Sequence, residues 1–144
     1  SNNLTQCNIE SLDAWCLIDF EDRSANPLSA NYEVGLYLNG SLLENVTIPN
    51  TITEIKSQAF TGQKILSITI PNSVTSIKAF AFLFCVRVSS IEIPSSVTSI
   101  GFQAFAGMPI GAVTLPKSTT VLYGNPFAAC PTITSIRVED GICN

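Results

Sequence analysis

Ile68-Thr-Ile-Pro-Asn-Ser-Val-Thr-Ser-Ile77 returns, nearly letter for letter, as Ile91-Glu-Ile-Pro-Ser-Ser-Val-Thr-Ser-Ile100. Working outward, the proline in this stretch recurs at Pro49, Pro71, Pro94 and Pro116, at intervals of 22, 23 and 22 residues. A phenylalanine further on recurs at Phe60, Phe82, Phe105 and Phe127 with the same intervals. Two separate landmarks with one period mark an internal repeat. The apolar positions keep the register: Val46/Ile48, Ile68/Ile70, Ile91/Ile93 and Val113/Leu115, then Ile52/Ile55, Val74/Ile77, Val97/Ile100 and Thr119/Leu122. Thr119 is the one polar lapse. A fifth, incomplete unit opens at Ile136 and Val138.

Each unit reads as one coil of a solenoid. Leu66-Ser-Ile-Thr-Ile70 alternates apolar and polar, the period of a strand. Pro71 ends it, because proline has no N–H for a ladder. Asn72-Ser73 turns the chain, and Val74-Thr-Ser-Ile77 alternates again. Ala81-Phe82 then drops a ring into the core, and a tight turn or 3₁₀ helix leads back. One unit cannot bury its apolar side alone, whereas stacked units bury a continuous core. The expected fold is a mostly parallel β-solenoid of about four and a half 22–23-residue coils, roughly 20 Å tall at ~4.8 Å per coil. Its units span about 42–65, 66–88, 89–110, 111–132 and, in part, 133–144.

Residues 1–41 break the period, and a solenoid needs its open end covered. This stretch is expected to be an N-terminal cap or degenerate first coil, the alternative being a linker from a longer array. Trp15 to Phe20 alternates like a strand, with Trp15, Leu17 and Asp19 on one side. Glu21 to Asn31 reads as a polar loop and Tyr32 to Leu38 as a second strand. Asn39-Gly40 signals a type I′ hairpin into Leu42–Ile48. The start, Ser1-Asn-Asn-Leu4, lacks the basic and apolar regions of a signal peptide, as a mature or excised fragment would.

The units resemble the BspA-like leucine-rich repeats, the Bacteroides surface protein A type, which run I-x-I-P, S-V-T-S-I-G, A-F-x-x-C. The clearest copies are Ile68 to Ile77 with Ala81-Phe82-Leu-Phe-Cys85, and Ile91 to Gly101 with Ala104-Phe105. The resemblance covers residues 44–138. It implies the leucine-rich-repeat solenoid of the α/β horseshoe class, with short 3₁₀ or helical returns. The fourth unit departs from it, with Pro126-Phe127 for Ala-Phe and Thr119-Thr120-Val121 for Val-Thr-Ser, which weakens the last coil.

Composition narrows the function. Apolar residues are 46% and charged residues 12% of the 144, with no histidine and a net charge of −4. The missing histidine excludes histidine-based acid–base chemistry, Ser-His-Asp and Cys-His arrangements and histidine-ligated metals. No basic stripe exists to neutralise nucleic-acid phosphates, and no apolar run reaches the ~20 residues of a membrane span. Glu10, Asp13, Asp19, Glu21, Asp22, Glu33 and Glu44 against Arg23 give residues 1–44 a net −6.

Of the cysteines, Cys85 and Cys130 each follow the repeat phenylalanine by three residues, where the other coils have Gln63 and Met108. They lie two coils apart, ~10 Å, beyond disulfide reach, and read as buried free thiols. Cys7 and Cys16 can pair within the cap or stay free, and Cys143 is expected to be free. No C-x-x-C occurs, so neither zinc nor redox chemistry is indicated. Asp19, Glu21 and Asp22 either offer oxygens to Ca²⁺ or form a solvated, turn-capping loop. No paired-carboxylate cleft is indicated. The three Asn-x-Ser/Thr sequons, at Asn3, Asn39 and Asn45, are what composition alone supplies. No cofactor, metal or catalytic residue is expected.

Two surfaces remain. Outward strand positions Asn45, Thr47, Ser67, Thr69, Ser90, Glu92, Thr114 and Arg137 form a small, hydroxyl-rich face. It suits hydrogen bonding to a protein or glycan, or solubility alone, and lacks the Trp and Tyr anchors of a hot spot. Phe80, Phe84 and Phe102 stand where other coils have polar or small residues. They form either an exposed interface patch or local packing. The resemblance implies a non-catalytic, cell-surface or secreted adhesion module, monomeric or weakly self-associating. The alternatives are a structural spacer within a longer protein, or self-association through the three phenylalanines.

Overall fold

A computed structural model describes residues 3–29, 32–139 and 141–142. In chain order the elements are β1 (Gln6–Ile9), α1 (Leu12–Cys16), a 3₁₀ turn (Arg23–Ala25), β2 (Gly35–Leu38), β3 (Ser41–Leu42), β4 (Asn45–Thr47), β5 (Glu54–Ile55), β6 (Ser67–Thr69), β7 (Ser76–Ile77), β8 (Ser99–Ile100), β9 (Ala112–Leu115), β10 (Val121–Leu122), β11 (Ser135–Val138) and β12 (Gly141–Ile142). The fold is a parallel β-solenoid of about four turns, as the period predicts.

The coils stack in register on three sides. On the first, β4 lies parallel to β6 through Val46↔Ile68, and β9 parallel to β11 through Val113↔Ile136. On the second, β5, β7, β8 and β10 form one parallel sheet in coil order, aligning Ile55, Ile77, Ile100 and Leu122. The third side is made of turns. There Phe60, Phe82 and Phe105 each donate a backbone N–H at 2.8 Å to the next coil, at Ala81, Ala104 and Pro126. Bonds closing local turns alternate with these, such as Ala59 N–H to the Lys56 carbonyl. The returns in the described repeats are therefore hydrogen-bonded turns, not 3₁₀ or α helices. Inside, Phe60, Phe82, Phe105 and Phe127 stack face to face at 5.5, 5.7 and 5.5 Å between centroids. Pro126 does not displace Phe127 from this column. The polar lapse at Thr119 is resolved by its hydroxyl, which donates to the Val97 carbonyl at 2.8 Å.

The third coil differs from the others. Its Ile91-Glu92-Ile93 segment keeps both isoleucines inward but forms no strand, so the first sheet lapses between β6 and β9. Nothing in the sequence explains this, since the alternation there matches that of Ile68-Thr69-Ile70.

The N-terminal segment departs furthest from expectation. Trp15 to Phe20 is not a strand. Ser11 caps α1 by accepting the Ala14 N–H at 3.1 Å, and Asp13 sits in the first turn, where the helix dipole favours an acid. Trp15, Cys16 and Phe20 are buried together while Leu17 and Ile18 face out, a division strand alternation cannot give. β1, not anticipated, runs parallel to β2. The second strand covers only Gly35–Leu38 of the expected Tyr32–Leu38. The hairpin is as expected: Asn39 and Gly40 have φ of +50° and +83°, the left-handed pair of a type I′ turn, joining Leu38 to Ser41. The chain then breaks between β3 and β4 rather than continuing as one strand.

Side chains join this segment to the first coil. Trp15 Nε1 donates to the Ala59 carbonyl at 3.0 Å. Buried Asn26 donates to the Gln58 carbonyl at 2.5 Å and accepts from the Leu28 N–H. Buried Gln63 accepts the Leu36 N–H at 2.9 Å and donates to the Val34 carbonyl at 3.1 Å. Gln63 occupies the column of Cys85, Met108 and Cys130, and its amide supplies the hydrogen bonds that β2 requires there.

Candidate binding face

Alternation points one side of each first-sheet strand at solvent. Asn45, Thr47, Ser67, Thr69, Ser90, Glu92, Thr114 and Arg137 are all exposed. Register sets Asn45 beside Ser67, Thr47 beside Thr69, and Thr114 beside Arg137. Ser67 Oγ donates to Asn45 Oδ1 at 2.7 Å. Because the ladder lapses at the third coil, the eight residues share one face in two strand-bearing pieces, with Ser90 and Glu92 between them. A shallow groove of about 460 Å³ crosses that lapse, where Thr69, Asn72, Glu92, Ser95 and Glu139 stand among isoleucines and prolines of the same two coils. A second, of about 320 Å³, continues past Glu92 to Thr114 and Glu139.

Asn72, Ser95 and Glu139 were not singled out from the sequence. Asn72 and Ser95 follow the proline of their units, a column that includes Asn50 and Lys117, so the repeat itself carried that signal. Glu139 carries no repeat signal. It accepts the Lys117 N–H at 3.2 Å through Oε2. The arrangement offers hydroxyls, amides and charges of both signs over a shallow surface, which suits recognition rather than bond-making.

The three phenylalanines form two pairs, not one cluster. Phe80 meets Phe102 edge-on at 5.4 Å, and Phe84 meets Tyr32 edge-on at 5.5 Å. Phe84 lies over Gly107 and Phe102 over Gly124, where an added Cβ would fall 2.4 and 2.3 Å from the ring. Large rings thus stand where the next coil has glycine. Phe84 and Phe102 still expose 40% and 44% of their surface, and Phe80 is half-buried.

The remaining chemistry is subdued. Cys7, Cys16, Cys85 and Cys130 are free thiols, and Cys143 lies outside the described residues. Burial pushes Cys85 up to about 12; burial and then the Asp13 charge do the same to Cys16. Asp22 caps the 3₁₀ turn by accepting from the N–H groups of Ser24 and Ala25 at 2.7 and 3.1 Å. Its carboxyl is lowered first by the Ser24 hydroxyl. Asp19 lies 3.9 Å from Lys56. Among the described residues no group of three potential ligands is placed to hold a metal ion, and no helix is long and apolar enough to cross a membrane.

A parallel solenoid with this period and an exposed strand face is a leucine-rich-repeat protein. The chain belongs to the BspA type leucine rich repeat region family, whose model matches residues 35–143 in 6 copies. Families of this kind are protein-interaction repeats and typically non-catalytic. Similar solved structures include a leucine-rich repeat protein from Bacteroides ovatus, at 34% identity over 67% of this chain and 26% of that one, TM-score 0.63. Another, from Eubacterium ventriosum, shares the fold at 20% identity over 85% of this chain and 37% of that one, TM-score 0.66. The pneumococcal vaccine antigen PcpA matches at 26% identity over 68% of this chain and 31% of its own, TM-score 0.55. The chain spans well under half the length of each. No curated protein matches it.

Proposed function

We propose that this chain is a non-catalytic interaction module of a cell-surface or secreted protein, holding a protein or glycan of a host or neighbouring cell against its strand face. The observation that carries this reading is the shallow polar groove across Thr69, Glu92 and Glu139, with the exposed Thr47 and Thr114 continuing the Thr69–Glu92 column on either side. A rigid, repeating array of hydrogen-bonding groups fits an extended partner and offers no reactive centre. The test is binding to immobilised fibronectin, laminin, fibrinogen and mucin, beside a Thr69→Arg/Thr114→Arg variant. Saturable binding lost in the folded variant is the expected result; binding unchanged by the two arginines rejects this face.

A structural spacer is the second reading. It is favoured by the longer relatives, of which this chain matches 26 to 37%. It predicts that the isolated chain binds none of the four.

A further inference from the structure

Where the N-terminal segment packs on the turn side of the first two coils, one polar atom is left over. Gln58 is more than nine-tenths buried. Its backbone is fully engaged: the N–H donates to the Ala79 carbonyl at 3.1 Å, and the carbonyl accepts from Asn26. Its side-chain Oε1 is also buried, yet has no hydrogen-bond partner among the described residues. Buried acceptors are costly to leave unpaired, and native structures supply them with donors. Gln58 lines a cavity of about 30 Å³ together with Arg23, Thr61, Phe80 and Leu83. The Thr61 hydroxyl is already given to the Leu83 carbonyl at 3.4 Å. Arg23 is exposed, and its guanidinium donates to the Tyr32 hydroxyl, which leaves further N–H groups for a ligand.

These groups select the chemistry of an occupant. An anion would set its oxygens against Gln58 Oε1, and an ammonium would meet the charge of Arg23. The volume admits roughly one or two non-hydrogen atoms, so only the tip of a larger molecule enters. A hydroxyl fits on all three counts, since one atom donates to Gln58 and accepts from Arg23. Aromatic rings stand on both sides. Phe80, in the cavity wall, meets Phe102 at 5.4 Å, and Arg23 links the cavity to Tyr32 and Phe84. Phe84 and Phe102 are 40% and 44% exposed. The electron-rich face of such a ring receives the C–H groups of a sugar, which a hydroxyl-bearing serine or threonine side chain offers far less.

We propose that Gln58 and Arg23 form a glycan-binding site on the turn side, which takes one sugar hydroxyl into the cavity and lays the sugar ring on the neighbouring aromatic side chains. The site is separate from the strand face and does not rest on it. The test is a nitrogen-15 NMR titration of the chain with neutral oligosaccharides released from mucin. Saturable shifts are expected at the Gln58 side-chain amide and at the Phe80 and Leu83 backbone amides. Gln58→Asn, which suits the left-handed backbone (φ +62°) but withdraws the oxygen, is expected to weaken binding at least tenfold. Arg23→Ala, at an exposed position, gives the same readout should Gln58→Asn fail to fold. Thr69→Arg/Thr114→Arg is expected to bind as wild type does. The proposal is overturned by absent shifts, by undiminished binding in folded Arg23→Ala, by loss in the strand-face variant, or by equal shifts with mucin peptide stripped of its glycans.

Discussion

The indole N–H of Trp15 occupies the place of a backbone donor from a preceding coil: it meets the carbonyl of Ala59 at 3.0 Å. The matching carbonyls further along, at Ala81, Ala104 and Pro126, accept from Phe60, Phe82 and Phe105 of the coil before. Ala59 has no such coil before it, and a side chain from α1 completes its ladder. Trp15→Phe keeps a large ring and removes only the donor, leaving a buried carbonyl unpaired. The expected cost is ~1–3 kcal/mol, read as a Tm lower by several degrees. An unchanged Tm would mean that the ring's packing, not the hydrogen bond, closes this end.

Gln63 makes the second attachment. Gln63→Met, the residue that Met108 supplies two coils on, keeps the volume but leaves the Leu36 N–H and Val34 carbonyl without partners. Hydrogen exchange is expected to speed up selectively at Leu36, while amides of the third and fourth coils keep their protection. Uniform loss of protection would show that residue 63 serves the whole stack instead.

Close approach of coils gives a third prediction. A Cβ on Gly101 would lie 2.4 Å from the Ala79 backbone nitrogen, which cannot move aside, whereas one on Gly111 would meet nothing within 4 Å. Gly101→Ala is expected to destabilise by ~1–3 kcal/mol through overpacking. Gly111→Ala is expected to be neutral or stabilising by up to ~1 kcal/mol, through lost freedom of the unfolded chain. Urea melts of the two variants side by side decide it, and equal midpoints would refute the contrast.

The charged cluster at the first two coils sets a pH dependence. Burial opposes ionisation of Glu54, but hydrogen bonds from Lys56 and Lys78 outweigh it and hold its carboxyl below the ordinary value of 4.5. A carboxyl lowered on folding stabilises above its unfolded value and loses that contribution as pH falls through its folded value. Glu54→Gln is therefore expected to cost ~0.5–1 kcal/mol at neutral pH. The difference should close as the medium is acidified below 4.5. A gap of constant size at both pH values would assign the loss to packing.

What could be read from the sequence followed from repetition. Phe60, Phe82, Phe105 and Phe127 face the same neighbours in each coil, so one physical demand is written four times and shows as a period. Thr47, Thr69 and Thr114 were legible for the same reason, since alternation decides which side faces water. Trp15 was misread because two-residue alternation over six residues also fits a short helix, and the Ser11 cap that distinguishes them lies outside that window. Gln63 stood out in its column, but its partners Val34 and Leu36 belong to a segment with no repeat to align. The Glu92 lapse left no mark at all, because its inward isoleucines satisfy the pattern whether or not the backbone joins a ladder. For the groove, Glu139 was invisible because it belongs to the incomplete unit.

The thiols yield the last prediction. Cys85 Sγ donates to the Phe60 carbonyl at 3.2 Å, and Cys130 Sγ to the Phe105 carbonyl at 3.3 Å. Each sulfur thus bonds to the phenylalanine of the preceding coil and helps to tie the stack from inside. Burial raises both, Cys85 to about 12, so the reactive thiolate is scarce at neutral pH. Cys7 is only half-buried. Among the four described thiols, alkylation followed by peptide mapping is expected to label Cys7 first. Cys16, Cys85 and Cys130 should follow only on the timescale of unfolding, with added urea accelerating the three together. Labelling of Cys85 as fast as Cys7 in native buffer would mean that the second coil opens locally, which an interlocked stack of phenylalanines spaced 5.5 to 5.7 Å apart does not permit.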